Sequence, residues 1–375
     1  MLIGVPAETD PSETRVAATP ETAKKFVGLG AEVAVEHGAG AKAGFPDAEY
    51  QSAGAGLVSA EEALGADLVL KVRRPGATEL GFVKHGALVI AMMDPYGHRE
   101  EIEAMAKAGV AAFAMELLPR ITRAQVMDVL SSQANLGGYR AVIDGAAEYG
   151  RALPMMMTPA GTVPAARLFI MGVGVAGLQA IATGRRLGAV VTATDVRPAT
   201  KEQVESLGAK FVAVEDDEFK QAETAGGYAK EMSDAYKAKQ AELVASHIAK
   251  QDIVVTTALI PGRPAPRLIS ADMVKSMRAG SVIVDLAVER GGNCELSKPG
   301  ELAISDNGVK IVGYSNVTRI PASASSLYAR NLYAFAETLI DKETKSLAVN
   351  WDDELVKATC LTRGGAIVHP NFTPQ

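Results

Sequence analysis

The chain has 375 residues, too many for one ordinary core, so two domains are expected. It is 48% hydrophobic and 22% charged with a formal net charge of −6, a balance that argues against nucleic acid or an anionic membrane as a partner. The two cysteines, Cys294 and Cys360, make neither a disulfide framework nor metal-ligand spacing, which fits a reducing compartment. No apolar run reaches the roughly 18–20 residues of a membrane helix, and residues 1–5 read as a first strand rather than a signal peptide, so a soluble chain is expected.

Residues 2–5 read as a strand, 20–29 as a helix ended by Gly30, and 32–36 as the next strand, so a βαβ rhythm begins at once. Further strands are predicted at 56–58, 67–72, 87–92 and 111–115, with a helix at 100–108 before the last. Alternation of this kind predicts a parallel sheet covered by helices on both faces. This half has no phosphate-binding glycine fingerprint. Residues 120–150 lack proline, and Ala124, Met127, Leu130 and Ala134 recur every three or four positions, which predicts one long helix connecting the domains.

Residues 167–197, RLFIMGVGVAGLQAIATGRRLGAVVTATDVR, organise the second half of the chain. A short apolar run leads into Gly172-Val173-Gly174-Val175-Ala176-Gly177, then a proline-free helical stretch, then a second apolar run ending at Thr194-Asp195. Strand, G-x-G-x-x-G, helix, strand and acid make the dinucleotide-binding unit. Glycines permit the tight turn and the close approach of backbone to a pyrophosphate, whose charge the helix N-terminus holds. Asp195 is placed to accept both hydroxyls of an adenosine ribose and to repel a 2′-phosphate, which favours NAD(H) over NADP(H). Arg197, two residues on, is the one neighbour that would suit a phosphate instead.

The doubly wound pattern continues with a helix at 201–207, strands at 210–214 and 253–257, a helix at 271–277 and a strand at 281–286. Residues 214–253 exceed a normal crossover and contain Gly226-Gly227-Tyr228, which suits either a surface helix with its loop or a lid hinged on paired glycines. A last long helix at 323–340, with Leu327, Leu332, Phe335 and Leu339 in phase, returns the chain to the first domain.

Arg120, Arg123, Gln125 and Asp128 form a dense polar group, either a solvated helix start with arginines paired to Asp128 or one wall of an interdomain cleft. Thr256-Thr257-Ala258, at a strand end, lies where a nicotinamide or its ribose would rest. Lys71, Asp285 and Glu289 are equally readable as ion-paired structural residues. None of the five histidines sits in a general-base motif, so chemistry without acid or base, such as hydride transfer between two nicotinamides, suits the chain.

MELLPRITRAQVMDVLSSQANLGGYRAV (115–142), GTVPAARLFIMGVGVAGLQAIAT (161–183), ATDVRPATKEQVESLGAKF, TAGGYAKEM, VDLAVERGGNCELSKPG and GAIVHP closely resemble the NAD(H)-binding component of the proton-translocating nicotinamide nucleotide transhydrogenases. The resemblance runs from Gly4 to Pro370. It departs where Ala7-Glu8-Thr9 replaces the family's usual lysine-rich start. It implies two doubly wound Rossmann-like α/β domains, 1–130 plus 319–375 and 131–318, with the cofactor in the cleft between them. It implies that Val173, Gly174 and Val175 meet the phosphates, with Gly172 and Gly177 of the same fingerprint also in the cofactor site, and that Asp195, Val196 and Arg197 meet the adenosine ribose. Arg120, Gln125, Asp128 and Ser131 would orient the nicotinamide, Gly227-Tyr228 would form the lid, and Gln240 and Leu259 would line the pocket.

The resemblance also implies hydride transfer from NADH to NADP⁺, coupled to proton movement across the membrane. NADP(H) would sit on a beta subunit, and a separate membrane alpha subunit would cross the bilayer. This chain would be a cytoplasmic homodimer, peripheral to the inner membrane through those partners, and would bind no nucleic acid. Alanine dehydrogenase shares the architecture, and Arg15 and Lys71 resemble its substrate-binding positions. It needs an imidazole in the loop that here reads Met92-Met93-Asp94-Pro95-Tyr96, where His98 comes several residues late. A non-catalytic NAD(H)-binding regulatory module is the remaining alternative.

Overall fold

The structure, a computed structural model, describes residues 1–220, 232–260, 262–314 and 316–373. The chain divides into two compact units, Met1–Gln133 with Val317–Gln375, and Ala134–Asn316.

In the first unit the sheet runs Gly56–Val58, Glu32–Glu36, Leu2–Val5, Leu68–Arg73, Leu88–Met92 and Ala111–Ala114, all parallel. Its strands are apolar on both faces because both faces are covered. Leu68, Leu70 and Val72 point to a core shared with Phe26, Tyr328, Leu332 and Phe335, while Val69 and Val89 join Ile102 and Met105 on the other side. The helix Pro20–Gly28 starts at a Thr19–Thr22 capping box with Pro20 in its first turn. One feature departs from the parallel expectation. Cys360–Arg363 pairs antiparallel with Ala111–Ala114 and turns through Gly364 (φ 57°) and Gly365 (φ 83°) into Ala366–Ile367, so this sheet is mixed.

The expected helix over 120–150 is two elements. Thr122–Met127 is a 3-10 helix, and the α-helix is Val129–Tyr149. Asp128 between them is extended at ψ 90°, and its carboxylate captures the first-turn N–H of Ser131, so the helix starts there and not earlier. Ala124 and Met127 are buried as their spacing suggested, but Leu130 is 51% exposed.

In the second unit the sheet runs Lys210–Phe211, Val190–Thr194, Arg167–Met171, Ile253–Thr256, Val282–Asp285 and Lys310–Val312 in parallel, with Leu302–Ile304 antiparallel at the edge. Leu168, Ile170, Val191 and Val255 face Ala180, Ile181, Ala141 and Val142, and Phe169, Val254 and Ile283 face Val244, Ile248 and Val274. The strand expected at 210–214 is shorter, Lys210–Phe211; Val212 N–H still reaches the Ala193 carbonyl at 2.8 Å, and Val214 then gives its N–H to the Gln240 side chain. A two-stranded hairpin, Met156–Thr158 with Gly161–Val163, stands outside this sheet. No described helix is long and apolar enough to cross a membrane, and the described residues contain no group of His, Cys, Asp and Glu that could hold a metal ion.

Candidate functional site: the glycine turn and the polar loop

The first strand of the second unit's parallel sheet, Arg167–Met171, lies between Val190–Thr194 and Ile253–Thr256, whose connections leave in opposite directions. Its C-terminal end is therefore the switch point where such sheets hold ligands. There the three glycines have three separate reasons. Gly172 sits at φ 100°, and a Cβ on it would lie 2.6 Å from Thr257 Oγ1, which donates to the Gly172 carbonyl at 3.0 Å. A Cβ on Gly177 would lie 1.9 Å from the Gly172 oxygen, so the turn closes only without it. At Gly174 a Cβ would meet nothing within 4 Å, so the space in front of the turn is open.

Gly174 is also the N-cap of the helix Val175–Arg186, and it offers no side chain to the first-turn N–H groups. The first turn carries no acid. Uncapped N–H groups facing open space form an anion site. The same helix is approached closely by Val129–Tyr149, because a Cβ on Gly138 would fall 2.0 Å from the Ala176 oxygen. The Gly137-Gly138 pair inside a helical stretch was the available sign of that contact.

Asp195 ends the neighbouring strand and is nearly buried. Its Oδ2 accepts from Val173 N at 2.7 Å and Arg197 Nη2 at 2.9 Å, and its Oδ1 accepts from Arg197 N and Nε, both at 2.9 Å. The carboxylate thus ties the glycine turn to the next strand and anchors Arg197, whose guanidinium pKa it raises. Arg197 also donates to the Val173 carbonyl at 3.2 Å. Val175 and Val196 are exposed beside this pair. Gln240 braces the same strand end, donating to Thr194 Oγ1 at 3.1 Å while accepting from Val214 N at 2.9 Å. Leu259 is exposed in the loop after Ile253–Thr256, and Asn293 secures that loop by bonding both the N–H and the carbonyl of Ala258. Asp285 accepts four hydrogen bonds, from Thr256 Oγ1, Ala287 N, Cys294 N and Ser297 Oγ, and is structural. Gly227 and Tyr228 lie outside the described residues.

In the first unit, Gln125 lies on the 3-10 helix with its side chain exposed, and Arg120, also exposed, precedes it. Asp128 accepts from Ser131 N at 2.9 Å and from Ser131 Oγ at 2.6 Å. Arg123 is paired elsewhere, in a fork to Asp353 at 2.7 and 2.8 Å, and that bond holds the Asp353 carboxyl below its usual range. Ser131 and Asp128 are thus brought together, while Arg123 belongs to the outer face.

Arg15 and Lys71 are buried, and carboxylates of this chain meet both. Glu13 receives Arg15 Nε at 2.8 Å and Nη2 at 2.7 Å, and Lys71 meets Glu79 at 2.7 Å and Glu8 at 3.5 Å. Burial raises the Glu8 carboxyl. It also pushes up on Glu13, but there the hydrogen bonds and charge of Arg15, with Arg73, win and lower it. His98 is engaged by Arg74, Glu101 and Asp94.

A family model described as alanine dehydrogenase/PNT, N-terminal domain matches residues 4–137, and its C-terminal counterpart matches residues 141–370. The chain belongs to the alanine dehydrogenase/PNT family. Within that family it is 57% identical, over the whole of both chains, to the first-part polypeptide of NAD(P) transhydrogenase subunit alpha from Rhodospirillum rubrum. A solved structure of transhydrogenase from Sinorhizobium meliloti superposes with a TM-score of 0.90 at 61% identity, covering 98% of this chain and 100% of that one. Alanine dehydrogenase 1 of Staphylococcus aureus is more distant, 30% identical over 91% of this chain and 88% of its own. The family member here therefore sides with the transhydrogenase alpha subunits.

Proposed function

We propose that this chain is the NAD(H)-binding component of a transhydrogenase and passes the hydride of NADH to NADP⁺ on a partner subunit. The observation that carries the reading is the open, uncapped helix start at Gly174, locked by Val173 to Asp195 on the next strand. The N–H groups of Gly174 and Val175 hold the pyrophosphate, with Gly172 and Gly177 giving the turn its shape. Because Val173 donates to Asp195, its part is to fix the turn rather than to meet a phosphate. Asp195 takes the adenosine ribose, flanked by Val196 and Arg197, and its charge disfavours a 2′-phosphate. Gln240 and Leu259 line the same pocket, with Gly227 and Tyr228 as its lid. Arg120, Gln125, Asp128 and Ser131 orient the nicotinamide.

When bound, the nicotinamide ring itself supplies the hydride. The protein's own groups bind, orient and exclude water, and none moves a proton. Arg15 and Lys71 already bind Glu13, Glu79 and Glu8, and His98 is held by Arg74, so neither cation nor imidazole stands ready for an amino acid. That favours hydride exchange over alanine oxidation.

The partners are an NADP(H)-binding beta subunit and a membrane-spanning alpha subunit, through which hydride transfer couples to proton movement and this chain is held at the cytoplasmic face of the membrane. A second copy of this chain completes the assembly, and the exposed Met155, Met156, Met157 and Val163 around the hairpin supply apolar surface suited to it. Titration with each reduced nucleotide tests the cofactor assignment. NADH should bind at least about tenfold tighter than NADPH, a difference of ~1.4 kcal/mol, and equal affinities would overturn it.

A further inference from the structure

We propose that Asn331 is a positioning residue for hydride transfer, setting the placement of Gln125, Asp128 and Ser131. The inference rests on the reading that those three residues orient the nicotinamide.

The polar loop is weakly held by its own backbone. Gln125 hangs on a six-residue 3-10 helix that has no side-chain cap, and Asp128 breaks the helical path before Val129–Tyr149 begins. The last bond before that break, Asp128 N to the Gln125 carbonyl, is long at 3.4 Å. A short 3-10 segment with poor hydrogen-bond geometry does not fix its side chains alone.

Asn331 lies on the long helix Pro321–Glu337 and is buried. Its Nδ2 donates to the Val126 carbonyl at 2.8 Å, and its Oδ1 accepts from Ser132 Oγ at 2.7 Å. One planar amide therefore grips the residue after Gln125 and the residue after Ser131, with Asp128 between them. A second grip lies two turns back on the same helix, where Gln133 Nε2 donates to the Ala324 carbonyl at 3.1 Å and its Oε1 accepts from Arg15 at 2.9 Å. That grip secures only the start of Val129–Tyr149. Among the described residues, Asn331 is the side chain that joins both sides of the break.

Ala124 and Met127 already bury this loop against the Tyr328 and Leu332 core, so burial keeps the segment on the helix. What apolar contact lacks is direction, and the amide supplies it. Reactions between held partners lose rate steeply when a positioning group shifts by about an ångström.

The test uses the full chain combined with an NADP(H)-binding partner subunit, comparing hydride transfer at saturating NADH with the NADH dissociation constant. Asn331→Ala should slow transfer about tenfold and leave NADH affinity within about twofold. Ser132→Ala, which removes one of the two bonds, should slow it about threefold, and it decides the matter if Asn331→Ala fails to fold. Unchanged transfer in a variant with a lowered melting temperature would reduce Asn331 to a structural role and overturn the proposal, as would affinity falling in step with rate. Asp128→Ala in the same assay separates the two readings. If it too transfers at the normal rate, the orienting role of the loop fails. If it is slow while Asn331→Ala and Ser132→Ala are normal, only the positioning inference fails.

Discussion

Arg197 fills two of the Asp195 acceptor positions with its side chain and a third with its backbone, and the Val173 N–H takes the fourth. A carboxylate offers about four such positions, so an incoming ribose diol competes with the guanidinium. Arg197→Ala should therefore leave NADH binding at least as tight as in the parent, whereas Asp195→Ala should weaken it about tenfold or more and erode the preference over NADPH. Isothermal titration of both variants checks this. Loss of affinity in Arg197→Ala equal to that in Asp195→Ala would show that the guanidinium itself holds the nucleotide.

The glycines of the turn separate binding from stability. Gly174→Ala adds a methyl group into open space at an ordinary φ of −84°, so the melting temperature should barely move while NADH affinity collapses. Gly177→Ala drives a Cβ into the Gly172 carbonyl and should cost about 1–3 kcal/mol or more of stability whether or not nucleotide is present. Thermal melts with and without NADH distinguish the two. Equal destabilisation by both substitutions would contradict the assignment of roles.

In the first unit, Glu13 is fully buried and forked to Arg15, whose side chain is 3% exposed. Glu13→Ala leaves a buried guanidinium without its main partner and should destabilise this unit by about 3–5 kcal/mol. Denaturant unfolding followed at Trp351, in the same unit, would read it, and a loss below about 1 kcal/mol would show that Gln133 and water suffice.

His247 gives the second unit a pH dependence. Burial, with Lys250, Lys210 and Arg167 nearby, lowers its pKa below 6.5. Its Nε2 lies 2.9 Å from Thr192 Oγ1 and 3.1 Å from Gln251 Nε2, and its ring meets the edge of Phe169. The unfolded chain takes the proton first on acidification. The stability tied to the neutral ring is thus full above pH 6.5 and lost as pH falls from there through the folded-state value. Melting temperatures between about pH 7.5 and 5.5 should fall more steeply in the parent than in His247→Gln. Parallel curves would rule this histidine out as the source.

The glycine turn and its bond to Asp195 were legible because their signals are local. Gly172, Gly174 and Gly177 act within six residues of chain, and Asp195 ends the very next strand. The polar loop was half legible. Ala124 and Met127 are three apart, a spacing that a 3-10 helix satisfies as well as an α-helix, so periodicity alone ran the helix through Asp128. The Asp128–Ser131 pair, an acid three residues before a helical serine, was the sign of the true start. Asn331 and the Glu13–Arg15 fork were illegible for another reason. The partners of Asn331, Val126 and Ser132, lie 205 and 199 residues back in the chain, and the Glu13–Arg15 fork is local but its charge balance shows only once both groups are buried. The antiparallel strand Cys360–Arg363 was missed likewise, because its register is set by Ala111–Ala114 far back in the chain.

The proposed function requires the hydride acceptor to sit on another protein. Rapid mixing of the NADH-loaded chain with an NADP⁺-loaded partner subunit, followed by nicotinamide absorbance with an acceptor analogue of shifted spectrum, measures that transfer directly. Transfer should require both proteins and be slowed in Asp128→Ala, with no oxidation of alanine by NAD⁺ on this chain alone. Alanine-dependent NADH formation without any partner, or no transfer on mixing with both nucleotides demonstrably bound, would contradict it.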